Sequence, residues 1–155
     1  MNHMPGGVYS LYTRDRPSLL NAMMSALASD TTKISFEGTL SHTDLVRIAG
    51  VTHDESEVLR RATLAPRRDF IVLPLSEQTL PAIRKAINTK IAIGEKGIVH
   101  VQIVKDGDMA FAAYDSFDKE CVVAYSAVSS ALLDELTKAK VLRGYRQMAP
   151  PISRQ

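Results

Sequence analysis

The chain has 155 residues, 19 Lys+Arg against 17 Asp+Glu, a single cysteine and no tryptophan, and 45% of its side chains are hydrophobic. That length supports one domain with its own core, the 23% of charged residues excludes wholesale disorder, and the lone Cys121 excludes an internal disulfide or a cysteine-rich zinc site. A net charge of +2 excludes a globally basic polyanion binder, and no apolar run approaches the roughly 20 residues of a membrane span, so a soluble, cytoplasmic protein is expected.

His3-Met4 has the form of a cloning-site remnant, which sets His3 aside, and no signal peptide is read at the start. Val8 to Tyr12 is aromatic and β-branched and predicts a strand. Asp15 and Pro17 then mark a helix start, and Leu19, Leu20, Met23, Met24 and Leu27 form one apolar stripe. Lys33 to Glu37 alternates and reads as a second strand. Ser41 to Asp44 resembles a capping box for a short helix carrying Leu45, Val46, Ile48 and Ala49, ended by Gly50. Thr52 is placed to cap a further helix, with Asp54 and Glu55 in its first turn.

Asp69 to Leu75 is a nearly continuous apolar run, as in strands buried on both faces. A helix carrying Leu80, Ile83 and Ile87 follows, and Asn88 to Gly97 reads as a loop with some extended structure at Ile91 and Ile93. The sharpest local signal is a hairpin over Ile98–Lys105 and Asp108–Tyr114, turned by Asp106-Gly107. A two-residue turn opposes Val104 to Met109, Gln102 to Phe111 and His100 to Ala113. Both faces then carry apolar residues, which places the hairpin inside a sheet. Cys121–Tyr125 predicts another strand. Ser129 or Ser130 caps a last helix with Leu132, Leu133 and Leu136, after which Gly144 loosens the chain.

The residues Ile48-Ala49-Gly50-Val51-Thr52, with Leu45 before and Val58 and Leu59 after, resemble the helix-turn-helix of LacI-like repressors. The resemblance covers residues 44–63 and implies two helices, the second entering a DNA groove. That second helix would present Asp54, Glu55 and Glu57 to a polyanion, so the expected role is a helical hairpin for packing or protein contact.

Arg60, Arg61, Arg67 and Arg68 are the candidate anion- or partner-binding group, since guanidinium forks suit phosphate and carboxylate. Asp54, Glu57 and Asp69 lie near enough in sequence to neutralise them. Lys138, Lys140, Arg143, Arg146 and Arg154, with Tyr145 among them, form an acid-free basic stretch of the kind single-stranded nucleic acids favour. On the hairpin, His100, Gln102 and Phe111 are a candidate pocket. Cys121 with His100, oriented by Asp115 or Asp118, is the one nucleophile–base pairing available. His42 and His53 have no metal-ligand spacing, and no glycine-rich phosphate loop or hydrolase signature occurs.

The expected fold is α+β: one domain over residues 5–148, a mixed, mostly antiparallel sheet of four to six strands with packed helices, and a flexible tail at 149–155. The expected function is a small non-enzymatic binding or regulatory module acting through protein–protein contact, as a homodimer or with another protein. The alternatives are nucleic-acid binding through the arginines and basic stretch, or a small enzyme with a histidine-centred site. No cofactor, metal or membrane partner is expected.

Overall fold

A computed structural model describes residues 7–89, 93–94 and 96–148. Its elements are β1 (Tyr9–Thr13), α1 (Arg16–Leu27), β2 (Thr32–Gly38), a 3₁₀ turn (Asp44–Arg47), β3 (Asp69–Pro74), α2 (Leu80–Thr89), β4 (Ile98–Lys105), β5 (Asp108–Ala113), β6 (Val122–Ala124), α3 (Ser130–Lys138) and β7 (Leu142–Gln147). The strands form one seven-stranded sheet in the order β3-β2-β4-β5-β6-β1-β7, every strand pair antiparallel. The class is the expected α+β, with seven strands rather than four to six. The expected tail at 149–155, with Arg154, and Ile91 lie outside the described residues. Ile93 makes an isolated bridge to Ile98.

α1 and α3 start where the sequence places their caps. Asp15 accepts from the Ser18 N–H at 3.2 Å and from its hydroxyl at 2.7 Å, and Ser129 accepts from the Leu132 N–H at 3.1 Å. Leu19, Leu20, Met23, Met24 and Leu27 of α1, Ile83, Ala86 and Ile87 of α2, and Leu133 and Leu136 of α3 join Ile34, Phe36, Ile71, Leu73, Val101, Ile103 and Phe111 in one core. All three helices therefore cover the same face of the sheet.

The topology accounts for this. β3 and β4 flank β2, are both antiparallel to it, and are joined through α2. β6 and β7 flank β1 in the same way and are joined through α3. α1 links β1 to β2, which run parallel, and travels across the sheet in the opposite direction to the other two crossings. Reversing both strand direction and travel preserves the hand of a crossing. Three crossings of one hand thus deliver three helices to one side. The expected βα unit at 69–88 is present, but β2 lies between β3 and β4, so the pairing stays antiparallel throughout.

The opposite face is covered in part by the segment between Gly50 and Asp69. This segment does not form the expected helices. In the stretch before it only Asp44–Arg47 coils, Thr43 makes no side-chain cap, and Ile48 is already extended. Thr52 and Val72 exchange backbone hydrogen bonds at 2.9 and 2.8 Å, closing the outer edge of β3. Val58 and Leu59 are adjacent rather than spaced along a helical stripe, and Leu59 is drawn onto Phe70, Val72 and Val104. The helix-turn-helix is therefore absent.

The hairpin turns at Asp106 (φ 53) and Gly107 (φ 85), the two positive angles of a type I′ turn. Val104 opposes Met109 as expected, but the register then shifts, so Ile103 meets Phe111, Gln102 meets Ala112 and Val101 meets Ala113. The extra residue is Ala110, whose carbonyl accepts from the Tyr125 N–H at 2.9 Å. The bulge moves Phe111 onto the helix-covered face, against Phe117 at 6.1 Å between ring centroids.

After β5 the chain makes a left-handed turn, with Asp115, Ser116 and Phe117 at φ 53, 60 and 62. Each L-residue there costs roughly 1–2 kcal/mol, and burial of the Phe117 ring anchors the turn. At the end of β2, Gly38 has φ +155, and a Cβ there would stand 2.1 Å from the Gly97 carbonyl oxygen. That oxygen is already bound by the Thr39 N–H at 3.0 Å and belongs to backbone, so it cannot yield cheaply. Gly38→Ala should therefore lower stability by about 2–4 kcal/mol, read as a reduced urea midpoint.

Candidate functional site

Because neighbouring strands alternate in direction, the ends of β2, β5 and β1 and the beginnings of β3, β4, β6 and β7 share one end of the sheet. Two basic clefts and a buried polar network lie at that end.

The first cleft has a volume of about 300 Å³ and is lined by Ser41, Val46, His53, Arg61, Arg67, Arg68, Asp69, Phe70 and Ile71. Three of the four predicted arginines thus come together, while Arg60 is exposed and does not line it. Arg61 lies with its guanidinium carbon 5.2 Å from the centre of the Phe70 ring. Its side chain is 11% exposed and meets Glu55 at 3.5 Å. Among the described residues, Arg67 and Arg68 form no ion pair. The acids expected to neutralise them are engaged otherwise or stay apart. Asp69 accepts from the backbone N–H groups of Leu40 and Ser41 at 2.9 and 3.2 Å, and Asp54 and Glu57 are exposed. The Arg61 and Arg68 Nε atoms are buried without a hydrogen-bond partner. His53 Nδ1 lies 3.2 Å from the Phe70 carbonyl, so that nitrogen is the donor and Nε2 is left for another partner. Its neighbour in the sequence reading, His42, is exposed and lines neither cleft.

Beside this cleft, Glu37 is 2% exposed. Its carboxyl oxygens accept from the Ala62 and Thr63 N–H groups at 2.7 and 3.1 Å. Thr63 Oγ1 meets His100 Nε2 at 2.7 Å. His100 Nδ1 accepts from the Asp115 N–H at 3.1 Å, so Nε2 carries the proton and donates to Thr63. Burial lowers the His100 pKa, opposed by the carboxylates of Glu37 and Asp115 and aided by Arg68. Gln102 accepts from Ser35 at 3.2 Å and donates to Tyr114 Oη at 3.0 Å. His100 and Gln102 are thus structural ties on the face opposite the helices. Phe111 lies on the other face, and the predicted pocket of these three residues is not assembled.

Nor does the structure bring Cys121 to His100. Both imidazole nitrogens are occupied, and Cys121 Sγ lies 3.7 Å from an Asp115 carboxylate oxygen. Desolvation, then Asp115 and Asp118, push the thiol pKa up, which disfavours the thiolate that nucleophilic attack needs. Among the described residues no cluster of His, Cys, Asp and Glu converges to hold a metal ion.

The basic stretch is shared among a helix, a turn and a strand. Lys138 ends α3, Lys140 sits in the following turn, and Arg143 and Arg146 are on β7. Tyr145 donates to Asp134 at 2.6 Å, which raises its pKa, and its ring meets Tyr9 edge-on at 5.3 Å. Arg143 joins a second cleft that sequence reasoning missed. This cleft, also about 300 Å³, is lined by Tyr12, Thr13, Arg16, Phe117, Asp118, Lys119 and Arg143. β3 and β1, which border the two clefts, stand five positions apart, roughly 24 Å along the sheet.

No protein-family model, curated protein or solved structure matches the chain.

Two outcomes follow from the network. Removing the acceptor in Glu37→Ala strands two backbone N–H groups and should cost about 2–3 kcal/mol, with faster amide exchange at Ala62 and Thr63. His100 is held neutral with a lowered pKa, so the unfolded chain takes up the proton first. Its contribution is complete above the ordinary histidine pKa of about 6.5 and is lost as pH falls below that value. Urea midpoints measured from pH 8 to pH 5 should fall less steeply for His100→Gln than for the native chain.

Proposed function

We propose that the protein is a small non-enzymatic binding module that takes a carboxylate of a partner protein in the cleft of Arg61, Arg67 and Arg68. The observation that carries this reading is the pair of buried Nε–H groups on Arg61 and Arg68 without hydrogen-bond partners. A buried donor left unsatisfied costs about 1–3 kcal/mol, and a hydrogen bond to a charged group returns about 1.5–3 kcal/mol. A small rotation of either guanidinium toward a bound anion exchanges the first for the second. Glu55 already engages Arg61 and Asp69 borders the cleft, which leaves a modest positive excess suited to a carboxylate, and each guanidinium can grip one bidentately. His53 Nε2 and the Ser41 hydroxyl supply further polar contacts at the walls.

No helix among the described residues is long and apolar enough to cross a membrane. The partner is read as an acidic protein segment, and a second copy of the chain is one such partner, to be detected as a dimer by sizing.

Titration of a fluorescent glutamate-rich peptide tests the reading. Arg68→Lys should weaken binding about tenfold, because an ammonium keeps the charge but loses the fork. Arg61→Ala/Arg68→Ala should abolish binding, while the exposed Arg60→Ala should leave it nearly unchanged. Equal peptide binding by the native and doubly substituted chains would overturn the proposal. So would preferential binding of a single-stranded oligonucleotide with a steep salt dependence, which is the signature of phosphate contacts.

A further inference from the structure

We infer that the second cleft, between the end of β1 and the start of β7, is a separate anion site for a phosphomonoester. Arg16 enters from the first position of α1, Lys119 from the turn after β5, and Arg143 from β7. Arg16, Lys119 and Arg143 form no ion pair among the described residues, and Asp118 is the one acid in the lining.

Two irregularities of the backbone place these cations. The β1–β7 register passes from Tyr12 opposite Gly144 to Thr13 opposite Leu142, so Arg143 has no partner across the ladder and escapes its strict alternation. Lys119 is brought round by the left-handed turn at Asp115–Phe117, with Glu120 also at positive φ. The ladder alone would not set both side chains beside Arg16.

The chemistry of the lining selects the ligand class. Three cations against one carboxylate leave an excess that a monoanion only half compensates. A phosphomonoester carries a charge of about −1.5 to −2 near neutral pH and three acceptor oxygens. Two guanidinium forks and one ammonium point charge suit such a group. The cleft volume of about 300 Å³ lies at the lower bound of small-ligand sites, and the Tyr12 ring provides a wall for the moiety that bears the phosphate.

The test is amide NMR titration of the full chain with glycerol phosphate, against sodium acetate and sodium chloride at matched ionic strength. Saturable shifts at Lys119 and Arg143 with glycerol phosphate, at least tenfold tighter than with acetate, are expected. Arg143→Gln and Lys119→Gln should each weaken them at least fivefold, with the remaining spectrum retained as proof of folding. Arg68→Gln, in the other cleft, should leave them unchanged. Shifts that grow linearly and equally with all three salts would overturn the site. Acetate binding as tightly as phosphate would overturn the ligand class. Shifts confined to residues 61–69 would overturn this site while leaving the arginine cleft standing. A phosphoserine peptide binding more tightly than glycerol phosphate assigns the group to a protein partner, the reverse to a small molecule, and either supports the site.

Discussion

A buried carboxyl group ties the structure together at the end of the sheet that carries both clefts. Glu37 sits on the helix-free face and accepts from two consecutive backbone N–H groups of a long crossing segment. It holds Ala62 and Thr63 against β2, in a segment of weak apolar content otherwise tied down by the Thr52–Val72 backbone bonds, the Thr63–His100 contact and the packing of Val58 and Leu59. The tie continues sideways from Thr63 to His100 and from His100 to the Asp115 backbone. One chain of hydrogen bonds therefore fixes both the segment that carries the arginines and the turn that carries Lys119. Such a network is most valuable when complete, since each half-satisfied member inside a low-dielectric region is costly.

The two faces of the sheet show how differently the same strands are used. One face is closed by side chains of three helices, a seal made from many small dispersion and hydrophobic terms. The other is closed by a few directional bonds and a small apolar cluster. A seal of the second kind leaves concavities at its margins, and the margins are where the arginines gather. Loops of this sort commonly carry recognition because a rigid scaffold positions them without prescribing their side chains.

Much of the scaffold was legible because it is written in local periodicity. The stripe of α1, its Asp15 cap and the Asp106-Gly107 turn each follow from neighbours within a few residues. Six of the strands were readable in the same way. β7 was not, since Leu142-Arg143-Gly144-Tyr145-Arg146-Gln147 has no β-branched residue, and its strand character comes from pairing along β1. The bulge at Ala110 was equally hidden. Met109-Ala110-Phe111-Ala112-Ala113 fits either register, and the choice is made by the space for an aromatic ring beside Phe117. The segment 44–63 misled because Thr52 and Val72 meet only in three dimensions. Of the site, the arginines were visible as a charge run, whereas their freedom from Asp54, Glu57 and Asp69 was not. The cleft at Arg143 draws on positions near both ends of the described chain and left no local trace.

The placing of β1 has a consequence for how the molecule comes into being. Chains leave the ribosome from the N-terminus, and domains assemble as their parts emerge. β2, β3 and β4 follow one another closely and pair among themselves, so the half of the sheet that bears Arg61, Arg67 and Arg68 completes early. β1 is made before any of them, yet both of its neighbours, β6 and β7, belong to the last third of the chain. It must wait with its edges bare while the rest is synthesised, and contacts of such long sequence separation are slow to form. The earliest-made strand among the described residues is thus among the last to find its place.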